Sequence, residues 1–175
     1  MIPLLKKRRS VRRYKEQKVS KEQIDILMKA ALLSPSSRNL RPWEFVVITD
    51  KKLLEQLSRA KLSGSSFLSK APLGIVVLGD SSISDVWIED TSIAATIIQL
   101  TAQSIGLGSC WIQIRQREHN GNVSAEQYVQ SVLHIPNIKN VLAIIAIGHA
   151  DVIPPSHRDD ALDSDKIHLN QYQSR

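Results

Sequence analysis

The chain has 175 residues, 42% of them hydrophobic, and a formal net charge of +6, which suits one globular domain with enough length to bury a core. A single cysteine, Cys110, excludes an intramolecular disulfide and fits a reducing compartment. No apolar segment follows the N-terminal charges as in a secretory signal, and the apolar runs 71–78 and 141–147 are too short to span a bilayer, so a soluble cytoplasmic protein is expected.

The chain opens on a basic run. Seven of the ten residues from Lys6 to Lys15 are cationic, with Ser10 among them and Tyr14 the one aromatic. Guanidinium forks bind phosphate or carboxylate oxygens and hydroxyls complete the shell, so the run suggests a phosphorylated ligand. A basic arm for nucleic acid or a membrane has the same composition. Ser20 to Gln23 form a capping box, and Ile24, Leu27, Met28, Ala31 and Leu32 share one face of the helix it opens. Ser34 and Pro35 stop that helix. Pro35, Ser36, Ser37 and Asn39 then gather small hydroxyls and an amide just before a strand at 43–49. Asp50 can N-cap a helix carrying Leu53, Leu54 and Leu57, and the wholly apolar run 72–79 reads as a buried strand.

The second half repeats this order. Ser84 or Asp85 starts a long helix reaching about Ile105, stopped by Gly106, and a strand follows at 109–114. Ser124 to Gln127 form a second capping box, opening a helix with Tyr128, Val129, Val132 and Leu133 that ends before Pro136. A fourth strand occupies 141–148, and the polar, proline-marked tail from Asp151 is expected to wrap the surface. Alternating helix and strand argues for helices on both faces of one sheet, with strand direction left open. A dinucleotide-binding reading fails on context: the strand at 43–49 has no glycine loop after it, and Gly106 and Gly108 precede a strand instead of opening a helix. The long helix carries two apolar stripes, Val86, Ile93, Ile97 and Leu100 on one and Ile88, Ala95, Ile98, Ala102 and Ile105 on the other. A surface helix needs one stripe, so the second is expected to meet a subunit partner.

Three segments in register resemble the short form of the FMN-dependent nitroreductase family: Arg8-Arg9-Ser10-Val11-Arg12, then Pro35-Ser36-Ser37-x-Asn39-x-x-Pro42-Trp43, then Gly106-Leu107-Gly108-Ser109-Cys110-Trp111. The resemblance runs from about residue 4 to Lys166-Ile167-His168. It implies an α+β fold, a three-layer α/β/α sandwich around a largely antiparallel sheet, in an intertwined homodimer with two FMN sites at the interface. It places Arg8, Arg9, Ser10 and Arg12 around the phosphate, ribityl chain and pyrimidine edge of FMN. It assigns Pro35, Ser36, Ser37 and Asn39 to the other subunit's site, Gln113 to a backbone N–H facing flavin N5, and Arg158 to the phosphate. Lys6, Lys7, Arg13 and Lys15 have no such support and are expected at the surface. One departure is Arg41, where the family commonly has glutamine before Pro-Trp; it bears on substrate and electron-donor choice.

The resemblance further implies an NAD(P)H oxidoreductase in which no side chain is nucleophile or general acid, because the flavin carries the chemistry. NADH or NADPH would reduce FMN at N5 and leave, and a nitroaromatic or quinone would then take the electrons in ping-pong order. Other flavin chemistry on the same scaffold, a flavin-binding protein with little turnover, and a non-specific nucleic-acid binder using Lys6 to Lys15 are the alternatives. Cys110 reads as a small buried hydrophobe, and His119, His134 and His149 lack metal-ligand spacing, so no metal is expected.

Overall fold

The computed structural model describes residues 1–173. Its elements are α1 (Ile2–Lys7), α2 (Lys21–Leu32), β1 (Trp43–Ile48), α3 (Lys51–Leu57), β2 (Leu73–Gly79), α4 (Trp87–Ser104), β3 (Gly108–Gln113), β4 (Glu118–Asn120), β5 (Val123–Ser124), α5 (Ala125–Leu133) and β6 (Asn140–Gly148). Both capping boxes form. The Ser20 and Ser124 hydroxyls accept from the main chain of Gln23 and Gln127, whose side chains accept in return. Asp50 caps α3 by accepting from Leu53 N–H at 2.9 Å.

The sheet has the order β1-β2-β6-β3, and every pairing is antiparallel. Alternation along the strands makes two cores. Leu73, Ile75 and Val77 of β2 pack with Leu27, Ala31, Ala95 and Ile98 of α2 and α4. Val76 and Leu78 pack with Leu54, Leu57 and Val129 of α3 and α5. The result is the three-layer, antiparallel arrangement that the resemblance implies. No helix of the described residues is long and apolar enough to cross a membrane.

Helix α4 begins at Trp87 and not at Ser84 or Asp85. The reason is local: Ser82 donates twice to Asp80 to form a turn, and the Ser84 hydroxyl donates to Asp90 instead of capping the helix. The inner stripe of α4 is covered by the sheet and α2, whereas Ile97 and Leu100 are half-buried and Ile93 is 41% exposed. In one chain, then, one side of α4 is fully covered and the other only in part. Gly106 ends the helix connection at φ +79°, a conformation glycine adopts without strain.

Candidate functional site

The basic run is not a free arm. Ser10 bridges Ser109 in parallel along the edge of β3, and Val11 N–H donates to the Ser109 carbonyl at 2.9 Å. This approach depends on Gly108, since a Cβ there would lie 2.7–2.9 Å from Val11 Cβ and both its methyls. Tyr14 is the second anchor. Its hydroxyl faces the Val11 carbonyl at 2.6 Å and the Ala146 carbonyl at 3.2 Å, its main chain bridges Ala150, and burial pushes the phenol far above its ordinary pKa. With Val11 turned inward, strand alternation turns Ser10 and Arg12 outward.

Arg8, Ser10 and Arg12 alternate onto one side of the run, and all three act on the buried Cys110. Burial raises the thiol pKa, against the opposing influence of Arg12, a hydrogen bond with Ser10, and Arg8 and Lys61. A thiol held protonated in this way is no nucleophile. The Arg12 guanidinium sits 5.9 Å from the centre of the Phe67 ring. Among the described residues neither Arg8 nor Arg12 pairs with a carboxylate, unlike Lys6, Arg13 and Arg158. Lys61 joins the cluster half-buried, and burial followed by the nearby Arg117 lowers its pKa. Nothing local marks Lys61 or Phe67 in the sequence; they lie in an irregular stretch and are recruited by the fold.

The tail runs antiparallel to the basic segment and fastens it. Asp151 N–H donates to the Arg13 carbonyl at 3.0 Å and His157 N–H to the Lys6 carbonyl at 2.9 Å. Arg9 donates to the Pro155 carbonyl, and Lys6 pairs with Asp159 at 2.6 Å. Arg158 does not join Arg8 and Arg12: it forks onto Asp160, with its side chain 80% exposed. Gln113 closes β3, with its side chain accepting from Trp111 Nε1 at 2.9 Å and donating to the Arg115 carbonyl at 2.9 Å. That side chain is satisfied within its own segment. Among the described residues, no group of three His, Cys, Asp or Glu residues could hold a metal.

Pro35, Ser36, Ser37 and Asn39 lie elsewhere. Their loop leads into β1, while the basic run lies along β3 at the opposite edge, and three strand spacings amount to about 14 Å. The loop is shaped by its own polar groups. Arg38, Asn39 and Arg41 have φ of +52°, +56° and +51°. The Ser36 hydroxyl accepts from Arg41 N–H at 2.9 Å, Arg41 Nε donates to Asn39 Oδ1 at 2.9 Å, and Arg38 pairs with Asp85. Ser37 N–H donates to Asp90 at 2.8 Å. Asp90 stands beside Glu89 in the first turn of α4, where acids are favoured in any helix, so nothing local in the sequence singled it out.

A model of the Nitroreductase family matches residues 5–68 and 59–149. A relative from Archaeoglobus fulgidus, provisionally named an NADH dehydrogenase/NAD(P)H nitroreductase, is 32% identical over 98% of each chain. The solved structure of an FMN-dependent nitroreductase from Clostridium difficile R20291 superposes with a TM-score of 0.97 at 48% identity, covering 98% of this chain and 100% of that one. Another from Bacteroides thetaiotaomicron, also provisionally named an NADH dehydrogenase/NAD(P)H nitroreductase, gives 0.89 at 34% identity, covering 98% and 97%. With its antiparallel three-layer fold, its three motifs in order and matches along nearly its whole length, the chain belongs to the nitroreductase family.

Proposed function

We propose that the protein is a cytoplasmic FMN-dependent NAD(P)H oxidoreductase, one domain over residues 1–175 with 151–175 as its extension, working as a homodimer. The observation that carries this is the placement of Arg8, Ser10 and Arg12 on one side of the basic run at the β3 edge, with no carboxylate among the described residues paired to either arginine. Unneutralised guanidinium groups beside a hydroxyl are the donor set an FMN phosphate and ribityl chain require, so the residues fit the cofactor. FMN, when bound, supplies the centre that takes hydride from the nicotinamide and hands electrons to the acceptor.

The chain's own residues bind and orient. Arg8, Arg9 and Ser10 would hold the phosphate and ribityl groups, with Arg158 joining them once released from Asp160. Arg12, resting on Phe67, would hold negative charge at the pyrimidine edge, and Lys61 adds a second cation there. The main chain at Gln113 would face N5. Pro35, Ser36, Ser37 and Asn39 would complete the site of the other subunit. Two observations support that assignment: the loop lies across the sheet from its own chain's arginines, and it is tied to α4, whose outward stripe of Ile93, Ile97 and Leu100 is only partly covered within the chain.

The test is spectroscopic and kinetic. Purified protein should carry flavin absorbance that NADH or NADPH bleaches anaerobically and a quinone or nitroaromatic restores. Double-reciprocal plots at several acceptor concentrations should be parallel, as one site used twice requires. Protein that binds no flavin would overturn the proposal, and bound flavin that no nicotinamide reduces would leave a binding protein.

A further inference from the structure

Asp90 is a buried carboxylate with no part in the chemistry above. It lies near the start of α4 and is 2% exposed. One oxygen accepts from Ser37 N–H at 2.8 Å and the other from the Ser84 hydroxyl at 3.0 Å. Neither partner is a cation. Burying a carboxylate is costly unless its oxygens are hydrogen-bonded, and the alanines at 94 and 95 show what this helix uses where it only packs.

What the carboxylate grips explains the cost. Left-handed φ at Arg38, Asn39 and Arg41 is unfavourable for residues with a Cβ, and such strain persists only where the surroundings over-determine it. Four contacts do so here: Asp90 to Ser37, Asp85 to Arg38, Ser36 to Arg41, and Asn39 to Arg41. The last three are exposed bonds, where water competes; the Asp90 bond to Ser37 is part-buried and its carboxylate is buried, so water competes less. The grip also falls on the Ser37 main chain, and among the described residues the Ser37 hydroxyl and Asn39 Nδ2 make no hydrogen bond within the chain. The loop is held from behind, with its donors left over.

We propose that Asp90 is a positioning residue for the flavin site of the other subunit. From α4 it fixes the loop that presents the Ser37 hydroxyl and the Asn39 amide across the interface, so a helix of one chain sets the geometry of its partner's site. This rests on the shared-site reading above.

The experiment compares Asp90→Ala with Asp90→Asn, which keeps an acceptor for Ser37 N–H and an amide that can donate to Ser84. Asp90→Ala should weaken FMN binding about tenfold or more, the scale of a charged hydrogen bond, with Asp90→Asn close to wild type. The deciding step pairs Asp90→Ala with Arg9→Ala by joint partial unfolding and refolding, then assays turnover at FMN below either variant's Kd. If Asp90 acts on the other subunit's site, each mixed dimer has one site with both defects and one with neither, and activity returns. Arg9→Ala with Asn39→Ala is the control. If the control regains activity and the Asp90 pair does not, the inference falls and the shared site stands. If neither regains it in a mixture shown to contain heterodimers, the shared-site reading falls and takes the inference with it. Should Asp90→Ala fail to fold, Ser37→Pro removes the gripped N–H, and Ser36 at φ −143°, ψ 156° already suits a following proline. Ser37→Pro no weaker for FMN than Ser37→Ala would overturn the role of the clamp.

Discussion

Gly108→Ala is the substitution whose consequences reach furthest from the smallest change. The added methyl would lie 2.7, 2.8 and 2.9 Å from Val11 Cγ2, Cβ and Cγ1. Rotation about χ1 moves the methyls but not the Cβ, so no rotamer of Val11 relieves the clash. The main chain of the basic run must move off β3, stretching the 2.9 Å bond from Val11 N–H to Ser109. Overpacking of this kind costs about 1–3 kcal/mol of stability. The same displacement carries Ser10 and Arg12 with it, and loss of one charged hydrogen bond, about 1.5–3 kcal/mol, lowers FMN affinity roughly 10- to 150-fold. Urea unfolding measures the first effect and flavin-fluorescence titration the second. Val11→Ala deletes both methyls but leaves the 2.8 Å Cβ contact, so the double variant should recover part of the loss, with a coupling of about 0.5 kcal/mol or more. A Gly108→Ala protein with the wild-type urea midpoint and wild-type FMN affinity would refute the account, as would strict additivity with Val11→Ala.

Three further outcomes are expected. Arg9→Ala should weaken FMN binding by about 1.5–3 kcal/mol, and unchanged affinity by fluorescence titration would remove Arg9 from the site. Ile93→Asp places a charge at the most exposed position of the outward stripe of α4, so the dimer and bound flavin should be lost together; light scattering showing a flavin-bound dimer of wild-type size would contradict this. Asp80 is held well below the ordinary carboxylate pKa, first by its hydrogen bond from Lys139 and then by Ser82. A lowered folded-state pKa contributes stability above the unfolded value of about 3.9 and loses it as pH falls toward the folded one. Asp80→Asn should therefore be less stable than wild type at pH 7, with the gap closing below about pH 4; a gap constant from pH 6 to 2 would be incompatible with that linkage.

The main elements were legible wherever a local rule determines them. Two capping boxes, the Asp50 cap and the apolar runs that became β2 and β6 all follow from short-range chemistry. Strand direction did not, because a wholly apolar strand has the same pattern either way; the antiparallel sheet came from the family resemblance. Helix α1 was hidden within the basic run, where charge masked its short Ile-Pro-Leu-Leu start. The small β4–β5 pair was hidden because three- and two-residue strands have no periodicity to read. The start of α4 lies two or three residues beyond the expected Ser84 or Asp85, because the Ser84 hydroxyl is taken by Asp90, 6 residues on, and does not cap the helix.

The site divides along the same line. Arg8, Ser10 and Arg12 are neighbours in sequence, so their grouping shows at once, whereas the Arg9 side chain turns to the Pro155 carbonyl of the tail. Lys61 and Phe67 join them only through folding, and Asp90 meets Ser37 across 53 positions. Arg41, which the resemblance marks as a departure, bonds within its own loop. In the family's usual glutamine the side chain can donate or accept, whereas a guanidinium only donates. Its Nε bond therefore requires that Asn39 turn Oδ1 toward Arg41. That orientation leaves the Asn39 Nδ2, a donor, as the amide group facing away, and among the described residues it and the Ser37 hydroxyl make no hydrogen bond. Arg41 thus acts on Asn39 first: as a pure donor it selects one of two amide orientations.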